Sequence, residues 1–173
     1  MTRPITTITY ASPIGELTLR ASDDALVGVS FPAGPGLTPG VRGALGSCKD
    51  VLALTCAQLD QYFAGSRTTF DLPLELDGTP FQVRVWEQLC TIPFGTTVSY
   101  QDLARRLGDV KATRAVGAAN GQNPIPIIVP CHRVIGANGD LTGFGGGIER
   151  KRWLLELEGA LSISFVEGER LKV

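Results

Sequence analysis

Polar and apolar residues alternate with a period of two near the start of the chain and recur with a period near 3.6 further on, and that change of period divides the sequence. Thr7-Ile8-Thr9-Tyr10 and Glu16-Leu17-Thr18-Leu19-Arg20 alternate, with Ser12-Pro13-Ile14-Gly15 between them as a turn. After Ser22-Asp23-Asp24 comes a third β-like run, Leu26 to Phe31, so this region predicts an antiparallel meander. Pro32 to Gly46 is rich in proline and glycine and reads as a surface loop. Val51, Leu52, Leu54, Leu59, Tyr62 and Phe63 then fall at roughly helical spacing, with Gly65 as a stop. Phe70 to Leu76 reads as extended and Asp77-Gly78 as a turn, where a domain boundary is expected.

The second half predicts helices. Thr79 can cap and Pro80 can open a helix carrying Phe81, Val85, Trp86 and Leu89, closed at Pro93-Phe94-Gly95. Ser99 caps a short helix from Tyr100 to Leu107, Gly108-Asp109 turns the chain, and a third helix runs from about Lys111 to Asn120. Two short helices about a tight glycine turn have the outline of a helix-turn-helix. A last helix spans about Ile148 to Glu158, with Trp153, Leu154 and Leu157 on its apolar face. The pattern therefore predicts an α+β protein. A small antiparallel sheet with a helix occupies 1–78, a mostly helical domain 79–160, and a tail 161–173.

At 173 residues, 43% hydrophobic and 19% charged, the composition is that of a globular protein able to bury a core. No apolar run reaches membrane-spanning length and the N-terminus has no secretory pattern, which predicts a cytoplasmic protein without a membrane partner. The net charge is −1, but Phe81 to Trp153 hold nine Lys/Arg against five acids, or +4, while the stretches before and after carry −3 and −2. Such asymmetry suits a basic binding face, and equally a solvated surface. The four cysteines, Cys48, Cys56, Cys90 and Cys131, form no C-x-x-C pair, and there is one histidine, so neither a disulfide framework nor a zinc set is expected.

That one histidine, His132, directly follows Cys131 behind an apolar run stiffened by Pro124, Pro126 and Pro130. A thiol held beside an imidazole suggests a nucleophile with a controlled pKa. A buried core cysteine next to a structural histidine is the plainer alternative. The predicted helix before this segment is poor in base-reading side chains: Ala112, Thr113, Ala115, Gly117, Ala118 and Ala119 are small, and Arg114 is its one long side chain. It suits either close approach to DNA without sequence preference or a tight helix–helix contact. After the thiol, Gly136 to Gly147 is a glycine-rich loop without the setting of a phosphate-binding loop.

Pro130-Cys131-His132-Arg133-Val134, the Arg114-Ala115-Val116-Gly117 segment, Gln122-Asn123-Pro124 and the glycine loop together resemble the O6-alkylguanine-DNA alkyltransferase family. The resemblance is strong over about 79–158 and weaker before it. It implies a ribonuclease H-like N-terminal domain and a single-turnover, suicide enzyme of DNA repair. Such an enzyme irreversibly moves an alkyl group from O6 of guanine, and less readily O4 of thymine, onto its own cysteine after base flipping. By this resemblance Cys131 is the alkyl acceptor, His132 the base acting through a water, and Glu158 the group orienting the imidazole. Adjacent side chains on an extended segment point to opposite faces, which also disfavours a direct Cys131–His132 hydrogen bond. The resemblance further implies that Tyr100 rotates a phosphate and donates a proton toward the leaving guanine, that Arg114 replaces the extruded nucleotide, and that Asn123 braces the cysteine segment. Ala112, Thr113, Ala115, Gly117 and Ala118 would meet the DNA minor groove, and Val134, Phe144, Gly145, Gly146 and Trp86 would line the pocket. Phe144 stands where many relatives carry tyrosine. No cofactor and no metal is implied, and the partner is double-stranded alkylated DNA bound by a monomer, with cooperativity along DNA left open. Two other classes compete: a non-catalytic lesion-flagging relative, which Cys131 argues against, and a thiol hydrolase or redox protein, for which no oxyanion motif or resolving cysteine is evident.

Overall fold

The structure, a computed structural model, describes residues 3–33 and 50–161. The expected loop from Pro32 to Gly46 and the tail from 161 therefore lie almost wholly outside the described residues. The fold is α+β. Of the described residues, those up to Asp77 together with Pro124–Pro126 form one compact unit, and Gly78–Asn123 with those from Ile127 onward form a second.

In the first unit, strands β1 (Thr6–Ser12), β2 (Gly15–Ala21) and β3 (Leu26–Ser30) form an antiparallel sheet in the order β1-β2-β3. Ser12 pairs with Gly15 across the predicted turn, so the hairpin needs only Pro13-Ile14 as its loop. Period-two alternation puts Leu17, Leu19 and Ala21 on the buried face. Helix α1 (Asp50–Phe63) buries Leu52, Leu59 and Tyr62, each completely, and each such side chain stabilises the fold by about 1.5–3 kcal/mol. The Tyr10 hydroxyl donates to Asp60 Oδ1 at 2.7 Å, tying β1 to α1. The extended stretch 70–76 makes one parallel bridge, Leu26 to Leu74, rather than a strand. Pro73, lacking an N–H, contributes only its carbonyl to Leu26 N at 2.8 Å.

The second unit is helical around a two-stranded parallel ladder. Helix α2 (Pro80–Leu89) starts from a full capping box: Thr79 accepts from Gln82 N, and Gln82 Oε1 accepts from Thr79 N. Strand β4 (Val98–Ser99) leads into α3 (Tyr100–Arg106), whose Ser99 cap accepts from Asp102 N. The predicted third helix begins differently. Asp109 caps a 3-10 turn at Val110–Ala112, and the α-helix proper, α4, runs Thr113–Gly121 with no side-chain cap. Strand β5 (Val134–Ile135) pairs in parallel with β4, and α5 spans Ile148–Leu157. Two-residue strands show no alternation, so the sequence pattern could not reveal this ladder.

Candidate active site

Cys131, His132 and Arg133 form one 3-10 turn that leads directly into β5. This corrects the extended segment assumed from the sequence. Arg133 N closes the turn on Pro130 O at 3.1 Å, so the three side chains radiate from a tight coil instead of alternating. All three are buried, and His132 is fully so. Ahead of the turn, Asn123 Nδ2 donates to Val129 O at 2.7 Å, and Ile127 adopts φ 75°, a strained conformation for a β-branched residue.

Glu158 is the C-cap of α5, and its carboxylate meets two residues of the turn. His132 Nε2 lies 2.8 Å from Oε1, while Arg133 donates from Nη2 to Oε1 and from Nε to Oε2, both at 2.9 Å. Burial would raise the Glu158 pKa, but the hydrogen bonds from His132 and Arg133 outweigh it and hold the carboxyl at about 2. An ionised carboxylate only accepts, so Nε2 carries the imidazole proton and Nδ1 presents a lone pair. Nδ1 is buried and has no hydrogen-bond partner in the protein. Burial lowers the His132 pKa despite Glu158, which keeps the ring neutral and basic. Burial also pushes the Cys131 thiol up to about 11, so the resting group is S–H; the Asn123 hydrogen bond and the Lys151 charge pull the other way.

Tyr100, half-buried at the start of α3, donates its hydroxyl to Thr142 O in the glycine-rich loop at 2.9 Å. Burial raises its pKa, so it holds its proton at neutral pH. Gly143, with φ +66°, lies against that hydroxyl: a Cβ there would come within 2.9 Å of it. Val134, Phe144 and Gly146 are buried and Gly145 is exposed. On α4, Arg114, Ala115 and Ala118 are exposed, Thr113 and Gly117 half-buried, and Val116 and Ala119 buried, while Ala112, in the 3-10 turn before it, is half-buried. One helix thus has both faces the sequence left open, a small-residue outer face and a packed inner one. Trp86 belongs to the inner packing. Its indole N–H donates to Ala119 O at 2.8 Å and the ring is 2% exposed, so its place is the α2–α4 core rather than a pocket wall.

Three buried polar residues escaped the sequence reading. Arg133 also donates to Ile92 O at 2.6 Å and sits over the Phe94 ring. Asn120, on α4, donates to Cys131 O at 3.4 Å, linking that helix to the thiol turn. Lys151 Nζ donates to Val134 O and Thr142 O, each at 2.6 Å. Arg and Lys are by default surface residues, and nothing in their spacing marked these as internal. Among the described residues no helix is long and apolar enough to cross a membrane, and no three His, Cys, Asp or Glu side chains gather as metal ligands would.

Comparison with known proteins gives the same outline in two parts. A family model described as 6-O-methylguanine DNA methyltransferase, DNA binding domain, matches residues 80–160, and one described as its ribonuclease-like domain matches 5–76. A methylated-DNA–protein-cysteine methyltransferase of Mycobacterium bovis is 52% identical over 87% of this chain and 90% of its own. The crystal structure of Mycobacterium tuberculosis O6-methylguanine methyltransferase superposes with a TM-score of 0.78 at 46% identity, covering 93% of this chain and 96% of that one. Mycobacterium tuberculosis OGT in complex with DNA gives 0.77 at 49%, covering 90% and 92%.

Proposed function

The chain belongs to the 6-O-methylguanine DNA methyltransferase family and is a DNA-repair enzyme of the methylated-DNA–protein-cysteine methyltransferase type, and from that premise we propose that Cys131 is its alkyl acceptor, used once per molecule. The observation that carries this reading is the buried, unpartnered Nδ1 of His132, fixed as an acceptor by the Nε2 bond to Glu158 and adjacent in sequence to a buried thiol.

The thiol proton passes to His132 Nδ1 through a water. The thiolate attacks the alkyl carbon; the S–C bond forms as the C–O6 bond breaks, and its electron pair goes to the guanine. Tyr100 leaves Thr142 O and gives its proton to the guanine ring, regaining one from the imidazolium by way of solvent. A thioether has no proton to return and is a poor leaving group, so the step is irreversible and stoichiometric. O4-alkylthymine presents the same alkyl–oxygen bond and is the lesser substrate.

A buried thiol cannot reach O6 inside a stacked duplex, so the base is flipped out, most cheaply where alkylation has weakened its pair. The exposed small-residue face of α4 lies along the minor groove, with Arg114 filling the gap in the stack. The glycine-rich loop, with Val134 and Phe144, encloses the base. In this reading 79–160 is the DNA-binding and alkyl-transfer domain.

Incubation with duplex DNA bearing one O6-methylguanine is expected to add one methyl to the peptide containing Cys131, saturating at one equivalent. Peptide mass spectrometry checks it, and tight lesion binding with unmodified Cys131 overturns it.

A further inference from the structure

Besides His132 Nδ1, the site holds a second buried acceptor without a hydrogen-bond partner among the described residues, Oδ1 of Asn120. Asn120 is 1% exposed on α4, and its Nδ2 reaches Cys131 O only at 3.4 Å. A bare amide oxygen inside a protein is costly, and an apolar side chain of the same size would avoid the cost. The cost falls beside Tyr100. Gly117, one turn earlier on the same side of α4, lies against the Tyr100 ring: a Cβ there would meet Cδ1 at 3.8 Å and Cε1 at 4.0 Å. Burial raises the Tyr100 pKa, and Thr142 and Asn120 are the groups that pull it back, so the amide stands within reach of the hydroxyl. A phenol has one proton to give. Tyr100 gives it to Thr142 O at 2.9 Å, which leaves the Asn120 oxygen an acceptor beside a donor already in use.

We propose that Asn120 is a positioning residue for Tyr100, its Oδ1 the second seat that receives the hydroxyl when it leaves Thr142 O. This rests on the reading of Tyr100 as proton donor to the leaving guanine. The exchange moves one hydrogen bond between two acceptors and changes no covalent bond. With the hydroxyl on Thr142 O, α3 is tied to the glycine-rich loop, and Gly143 is closed against the same oxygen. With the hydroxyl on Asn120 Oδ1, that tie is released while the ring stays seated on α4, and the hydroxyl then turns to the base ring. Thr142 O keeps a second donor at 2.6 Å when the hydroxyl departs, and Oδ1 gains its first, so the move leaves no buried acceptor bare. Position explains why α4 carries the seat. The helix whose outer face is assigned to DNA meets the proton donor through Gly117 and Asn120 and the thiol turn through Asn120 Nδ2.

The test is a double-mutant cycle, read by single-turnover methyl transfer from duplex DNA bearing O6-methylguanine, with duplex affinity measured alongside. Asn120→Leu, close in shape and without the oxygen, is expected to slow transfer about tenfold and to leave the duplex dissociation constant within about twofold of wild type. In a Tyr100→Phe background there is no hydroxyl to seat, and the same substitution is expected to change the rate by less than about twofold. If Asn120→Leu does not fold, Asn120→Ala carries the same cycle, folding being checked by thermal melting. No deficit, a deficit of equal size in both backgrounds, or a loss in affinity instead of rate overturns the proposal. Tyr100→Phe reacting at the wild-type rate would overturn the assignment of the proton donor and the seat with it, and wild-type protein left unmodified at Cys131 that of the acceptor.

Discussion

Glu158 sits where a carboxylate is least favoured, at the C-terminal end of a helix whose dipole presents negative charge, and it is buried there. Its bonds to His132 and Arg133, with Gly95 N donating to Oε2 at 3.5 Å, hold it there, which has a consequence in acid. Its carboxyl pKa is near 4.5 in the unfolded chain and about 2 in the folded one. The stabilisation is therefore complete above about pH 4.5 and is lost as pH falls towards 2, a change on the order of 3 kcal/mol. Urea midpoints measured from neutral to acid pH should fall for the wild type and vary less for Glu158→Gln, which begins weaker; parallel curves would refute the linkage. The sequence made His132 and Glu158 legible as partners through the resemblance alone. Arg133 lies in the same motif, but its burial depends on a carboxylate 25 positions away, which no local pattern marks.

Elements were legible where a local signal sets their ends. Thr79, Pro80 and Gln82 fix the start of α2, and Ser99 that of α3, by side-chain bonds within three residues. α4 starts at Thr113, later than the expected Lys111, because Asp109 accepts from Lys111 N and winds a 3-10 turn first. That turn sets Thr113 and Arg114 in the first turn of α4, with Arg114 exposed. Arg114→Ala is expected to reduce repair in duplex DNA about tenfold more than attack on free O6-benzylguanine, since only the duplex requires a filled gap when the base is extruded. Matched rate measurements on the two substrates check it, and equal losses would remove the role assigned to Arg114. The β4–β5 ladder stayed invisible because its pairing joins residues more than thirty positions apart through only two residues per strand.

For the whole molecule, the +4 of residues 81–153 overstates the charge offered to DNA. Arg133, Arg150 and Lys151 are internal and Arg152 is half-buried, leaving Arg84, Arg105, Arg106, Lys111 and Arg114 exposed, and Arg105 is paired with Asp102. Duplex affinity should therefore depend only moderately on salt, and Lys111→Ala should reduce the slope of log K against log salt by about one. Titrations at several salt concentrations read this directly; an unchanged slope would take Lys111 out of the interface. The site is also long in sequence: the carboxylate that meets His132 lies 26 residues beyond it, at the end of α5, so a chain cut before Glu158 keeps Cys131 and His132 but leaves the imidazole without its anchor.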